Sequence, residues 1–242
     1  MTHPSSTGGR ALRTIAIILF ALATTFNLLG GIGTSCVALN PTRWGPEMAK
    51  LAQAQWLYIV LMVAAVAVSL WGAAATIALV RGGATAYRNA LLVLALSALI
   101  AGVQTFVSIA LRGKGAPQNM RFYFTTLVVI VFLLLRLPPI WKRIGGFAAG
   151  GKGGFATPTG LAAFWSGLLV LTTPLWATPT HIGPDGARWV NVLRTPLLLA
   201  GALLVLVGIG LQLWANRIRL SVSIRCPFPF TATDGNATDE NG

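Results

Sequence analysis

The sequence predicts an all-α, polytopic transmembrane protein of about six spans, arranged as a four-helix unit followed by a two-helix hairpin. Three observations predict it. Of 242 residues, 55% are hydrophobic and only 10% are charged, whereas a soluble globular chain carries roughly 25% charged residues. Six apolar runs each approach the ~20 residues, or at least ~17, that a helix needs to cross the hydrocarbon. None of these runs shows the period-two alternation of a barrel strand.

The runs occupy residues 14–38, 56–80, 90–111, 122–141, 161–178 and 197–215. The first four are joined by short polar loops, so residues 14–144 read as one four-helix unit preceded by a cytoplasmic segment, 1–13. Residues 145–160, GGFAAGGKGGFATPTG, read as a flexible glycine-rich linker. Thr159 within it is expected to N-cap the fifth helix. Residues 161–215 form the hairpin, whose two runs are short and flanked by proline. The tail, 216–242, turns proline-rich and then acidic, a composition that stays disordered.

Net charge is +13, from 18 Lys and Arg against five acids. The bases gather at the ends of the apolar runs, where anionic headgroups and the positive-inside rule account for them. No basic stripe interleaved with aromatics lies on a water-exposed element, so nucleic acid is not an expected partner. With the N-terminus inside, eleven basic residues fall on the inner side: Arg10, Arg13, Arg81, Arg88, Arg136, Lys142, Arg143, Lys152, Arg217, Arg219 and Arg225. Seven fall outside: Arg43, Lys50, Arg112, Lys114, Arg121, Arg188 and Arg194. The expectation is a multi-pass protein of a bacterial inner membrane with both termini cytoplasmic. Trp44, Trp56 and Tyr58 cluster at one predicted interface, and Trp141 and Trp214 at the other, as amphipathic rings do.

The stretch GGIGTSCVALNPTRWGP, residues 30–46, could be read as a phosphate loop. It lacks the third glycine of the dinucleotide fingerprint, and the apolar run before it is too long for a strand. It also lacks the branched apolar residue expected before a lipidated cysteine. It reads instead as the outer end of helix one, with Gly30, Gly31, Gly33 and Cys36 as small packing residues. Asn40-Pro41 then stops the helix.

Arg136 is the charge that falls inside an apolar run, and snorkelling to the inner interface or a contact to an anionic lipid, solute or partner would accommodate it. Asn27, Gln104 and Gln212 are span amides suited to bonding between helices. His181 and Asp185 share an outer loop that Glu47 would join only if two loops meet, which is too little for a metal site. Cys36 and Cys226 fall on opposite sides of the membrane and cannot pair. No cofactor is expected.

Three functions follow from this inventory. The first is a non-catalytic accessory or scaffold subunit of a membrane assembly, partnered by the bilayer, by anionic lipid, and by other membrane proteins or copies of itself. The second is a small-solute pathway, which requires Asn27, Gln104 and Arg136 to converge on one cavity. The third and weakest is an enzyme acting on a lipid-linked substrate through His181, Asp185 and Glu47.

Overall fold

The computed structural model describes residues 7–147, 156–178, 186 and 189–225. Among these residues there is no strand. Six helices are long and apolar enough to cross a membrane. They are α1 (Thr7–Leu39), α2 (Gln55–Arg81), α3 (Ala86–Arg112), α4 (Gln118–Leu135), α5 (Ala156–Ala177) and α6 (Arg194–Arg225). They alternate in direction. The starts of α1, α3 and α5 and the ends of α2, α4 and α6 therefore share one side, here the terminal face. The opposite side is the loop face.

Elementary backbone chemistry explains why the runs end where they do. Gly82 adopts φ 83° after α2, and its N–H donates to the Ala78 carbonyl at 2.9 Å. Only glycine takes that left-handed conformation without strain, and the bond satisfies a carbonyl the helix leaves open. At the loop-face end of α1, Gln55 Nε2 donates to the carbonyls of Ala38 and Leu39, each at 3.1 Å. Trp44 Nε1 donates to the Cys36 carbonyl at 3.0 Å. Three short helical turns, Pro41–Trp44, Pro46–Ala49 and Lys50–Ala54, fold over this end.

The helix bounds differ from the sequence expectation in several places: α5 already begins at Ala156, within the expected linker, and α6 runs on to Arg225, through the start of the tail expected to be disordered. α1 already begins at Thr7, so Arg10 and Arg13 lie within it rather than in a separate segment. Arg13 is buried, and it donates to the Leu79 carbonyl at 3.2 Å. The fourth span stops at Leu135, because Leu137 turns to ψ 133° before Pro138, and Pro138–Ile144 forms its own short helix. α4 also starts earlier, at Gln118. Thr159 is inside α5 rather than capping it.

α1 is the hub: it packs against α2, α3, α4 and α5. Glycine makes its contact with α2 close. A Cβ at Gly31 would lie 3.2 Å from Val66 Cγ2, and one at Gly72 would lie 2.7 Å from Thr24 Cγ2. The apolar core fills the terminal half of the bundle around Ile17, Phe20, Leu79, Val93, Leu94 and Phe132. The Phe20 and Phe132 rings sit 5.7 Å apart, and Phe147 closes the stack from just past Ile144.

α5 and α6 form the hairpin, which docks on the four-helix unit through α5. Two glycine pairs, each seven residues apart, bring these helices together. A Cβ at Gly167 would lie 2.8 Å from the Gly201 carbonyl oxygen, and one at Gly160 would lie 2.9 Å from the Gly208 carbonyl oxygen. Small residues let backbones approach in a solvent where no hydrophobic force drives helices together. Gln212 adds a hydrogen bond across the pair, donating to the Thr157 carbonyl at 2.7 Å. α6 turns most of its surface outward, and only 11% of its apolar window is buried, against 50% for α3.

Gly167→Leu should therefore cost on the order of 1–3 kcal/mol through overpacking, read as a lower unfolding midpoint in detergent. Gly210→Leu, at a position with open space around it, should leave the midpoint unchanged. Equal losses from both would refute the close α5–α6 contact.

Candidate functional site

The loop half of the bundle is built differently from the terminal half. α4 spans only 18 residues, about 27 Å of helix, a little short of the ~30 Å hydrocarbon thickness. The segment before it, 113–117, folds back along α3. Ser108 Oγ donates to the Lys114 carbonyl at 2.8 Å, and a Cβ at Gly115 would lie 3.2 Å from both Thr105 Cγ2 and Ile109 Cγ1. α4 thus starts recessed, and its first turn lies against the buried flank of α3.

That recess buries Arg121, which is only 3% exposed. Its guanidinium donates to Gln104 Oε1 on α3. Its stem rests on α1, where a Cβ at Gly30 would fall 2.7 Å from Arg121 Cδ. Gly30 is thus the floor on which this arginine lies. One helical turn deeper on α4, Thr125 accepts a 2.8 Å hydrogen bond from Asn27 Nδ2. Asn27 also donates to its own Ala23 carbonyl at 2.8 Å. Tyr58 Oη donates to the Gln104 carbonyl at 3.3 Å. A polar layer therefore crosses α1, α3 and α4.

This layer is incompletely satisfied. Arg121 Nε and Gln104 Nε2 are buried without a hydrogen-bond partner. A guanidinium carries five N–H donors, and one amide oxygen meets few of them. Glu47 is the one acidic residue among the described residues, and it is exposed and pairs with Lys50 at 3.4 Å. A charge held away from water costs several kcal/mol unless it is paired, and a neutral amide offsets only part of that.

Arg121 lines a cavity of about 540 Å³ at the loop face, between α1, α4, α5 and α6. The volume falls within the range of small-molecule sites. Its walls are mostly apolar and include Phe26, Met48, Leu169, Trp176 and Leu197. Gln118 lies at the rim with a buried, unpartnered side-chain oxygen. Nearby, Arg112 donates to the Ala116 carbonyl at 3.2 Å and to the Met48 sulfur at 3.2 Å.

The chain matches no protein-family model, no curated protein and no solved structure. The chemistry of the site must therefore be read from its own residues.

The residues singled out in the sequence separate into three groups. Gly30, Gly33 and Cys36 line the cavity. Cys36 is buried, and its thiol donates to the Gly33 carbonyl at 3.1 Å, while Gly31 faces α2 instead. Asn27 and Gln104 meet the same stretch of α4, through Thr125 and Arg121. Arg136 is elsewhere. It follows the last residue of α4, eleven positions beyond Thr125, or about 16 Å along the helix. It is exposed, with its guanidinium carbon 4.7 Å from the Trp141 ring centroid and 5.9 Å from that of Tyr87. The convergence of Asn27, Gln104 and Arg136 required by a solute pathway is absent. Lys152, His181, Asp185, Arg188, Cys226 and residues 227–242 lie outside the described residues.

One sequence expectation is corrected here. Arg121, expected in an outer loop, is enclosed in the loop half of the bundle, whereas Arg136 is exposed where the helix ends before the two prolines. The missed signal was Gln118-Asn119-Met120-Arg121: its polarity reads as loop, but a recessed helix start needs the same residues.

Proposed function

We propose that the protein is a non-catalytic, accessory membrane component that binds an anionic, carbon-rich molecule at its loop face. The observation that carries this reading is Arg121: a buried guanidinium without a carboxylate partner, lining an otherwise apolar cavity. Guanidinium matches carboxylate and phosphate oxygens with paired hydrogen bonds. Such a ligand would meet the donors that Gln104 leaves open, and the apolar walls would take its carbon skeleton.

The distribution of exposed cations supports a cytoplasmic terminal face. Arg10, Arg81, Arg88, Arg136, Lys142, Arg143 and Arg217 are exposed there. The loop face exposes Arg43, Lys50, Lys114 and Arg194, while Arg112 is half-buried and Arg121 fully so. Counting exposed cations alone keeps the positive-inside bias in the same direction. The ligand cavity then opens toward the outside of the cell.

Two measurements test this. In the first, butyl phosphate is titrated against the full-length protein in neutral detergent. Saturable binding is expected, with a loss of roughly tenfold or more in Arg121→Met, the size of a lost charge-assisted hydrogen bond, and a smaller loss in Arg121→Lys. Undiminished binding by Arg121→Met, or none by the natural chain, refutes the reading. The second labels intact cells with a membrane-impermeant maleimide, in a Cys36→Ala/Cys226→Ala background. Lys114→Cys should react and Arg88→Cys should not; the reverse pattern would invert the orientation.

A further inference from the structure

A second cavity of about 580 Å³ adjoins the first. Leu29, Ile32, Leu193 and Leu197 line both, so the two are divided by a shared strip of side chains rather than by a wall of helix. The second cavity runs between α1, α2, α5 and α6 and is apolar. Ala21, Ile77, Ala163, Val170 and Leu204 line it, and the hydroxyl of its Thr76 is already donated to the Gly72 carbonyl at 2.9 Å.

Its direction is informative. On α1 the lining runs from Ile32 to Ala21, eleven residues or about 16 Å. On α2 and α5 it continues to Val80 and Thr159, close to their terminal-face ends, so the groove descends from the loop face through most of the depth of the bundle. Together the two cavities offer a charged end at the loop face and a long apolar end within the bundle, the polarity of a single-chain anionic lipid.

Resting on the Arg121 reading, we infer that the two cavities hold a single molecule: a lipid of the loop-face leaflet, whose carboxylate or phosphate head sits on Arg121 and whose chain lies in the α1–α2–α5–α6 groove. Head recognition is set by charge at Arg121. Chain recognition is set by the apolar walls of the groove. A zwitterionic lipid would bring a cation to a site that already holds one, so the site selects net-anionic heads.

The test compares butyl phosphate, dodecyl phosphate and the zwitterion dodecylphosphocholine, each titrated against the full-length protein in neutral detergent. Dodecyl phosphate should bind roughly tenfold or more tighter than butyl phosphate, because its further methylenes leave water, and tighter than dodecylphosphocholine. Ala163→Phe, which fills the groove, should remove the long-chain advantage and leave butyl phosphate binding intact, which also reports that the variant has folded. If that variant loses butyl phosphate too, Ala73→Phe on the α2 wall replaces it in the same comparison.

Equal affinity for the two chain lengths, or a long-chain advantage that survives groove filling in a variant that still binds butyl phosphate, overturns the lipid inference and leaves the Arg121 site standing. Equal binding of the phosphocholine marks a lipid of the surrounding annulus and overturns it as well. Failure of every phosphate to bind removes the Arg121 reading itself.

Discussion

The arrangement of the loop face depends on one guanidinium enclosed without a carboxylate. Arg121 is buried because α4 starts recessed, and α4 starts recessed because 113–117 folds back along α3. Several neighbouring residues follow from that placement. Gly30 has no side chain because the stem of Arg121 occupies that space. Gln104 is an amide because a charged donor needs an oxygen at that depth. The recess itself leaves the volume above α4 that becomes the cavity. A bundle whose fourth helix reached the interface would have no such cavity and would let the arginine snorkel into water.

The molecule therefore divides by depth. The terminal half is closely packed, with interlocked aromatics and a backbone carbonyl to receive Arg13. The loop half is open and imperfectly satisfied. Groups left short of hydrogen bonds in a low-dielectric setting are costly, and they collect where a ligand completes them. The hairpin contributes differently: its glycine pairs hold α5 and α6 together, while the weak burial of α6 leaves the cavities bordered by a helix that is itself bathed in lipid.

Much of the fold was legible in the sequence, because span length and composition are dictated by the bilayer alone. The six helices, their alternation and the four-plus-two grouping all follow from runs such as 56–80 and 90–111. The end of α4 was missed, because hydropathy carries the fourth run to residue 141, past the prolines that stop the helix at Leu135. The site was legible only in fragments. Asn27 and Gln104 stood out as amides in apolar runs, but their partners Thr125 and Arg121 did not. Hydropathy places a span start where polarity falls, so it set the fourth start after Arg121 and counted that residue as solvated. A helix that begins below the interface puts polar residues where apolar ones are expected. That arrangement depends on tertiary packing against α3 and has no signature in a one-dimensional window.

On the proposed function, Arg121 and Gln104 are held for a bound anion and not for the stability of the bundle. Buried ionic and polar pairs can often be replaced together by apolar residues of similar volume at no loss of stability. The decisive measurement is the unfolding free energy of the delipidated double variant Arg121→Met/Gln104→Leu, set against the natural chain. The double variant should hold its stability within about 1 kcal/mol of the natural chain, or exceed it. A loss of about 3 kcal/mol or more would show that the pair supports the fold itself and would contradict that reading.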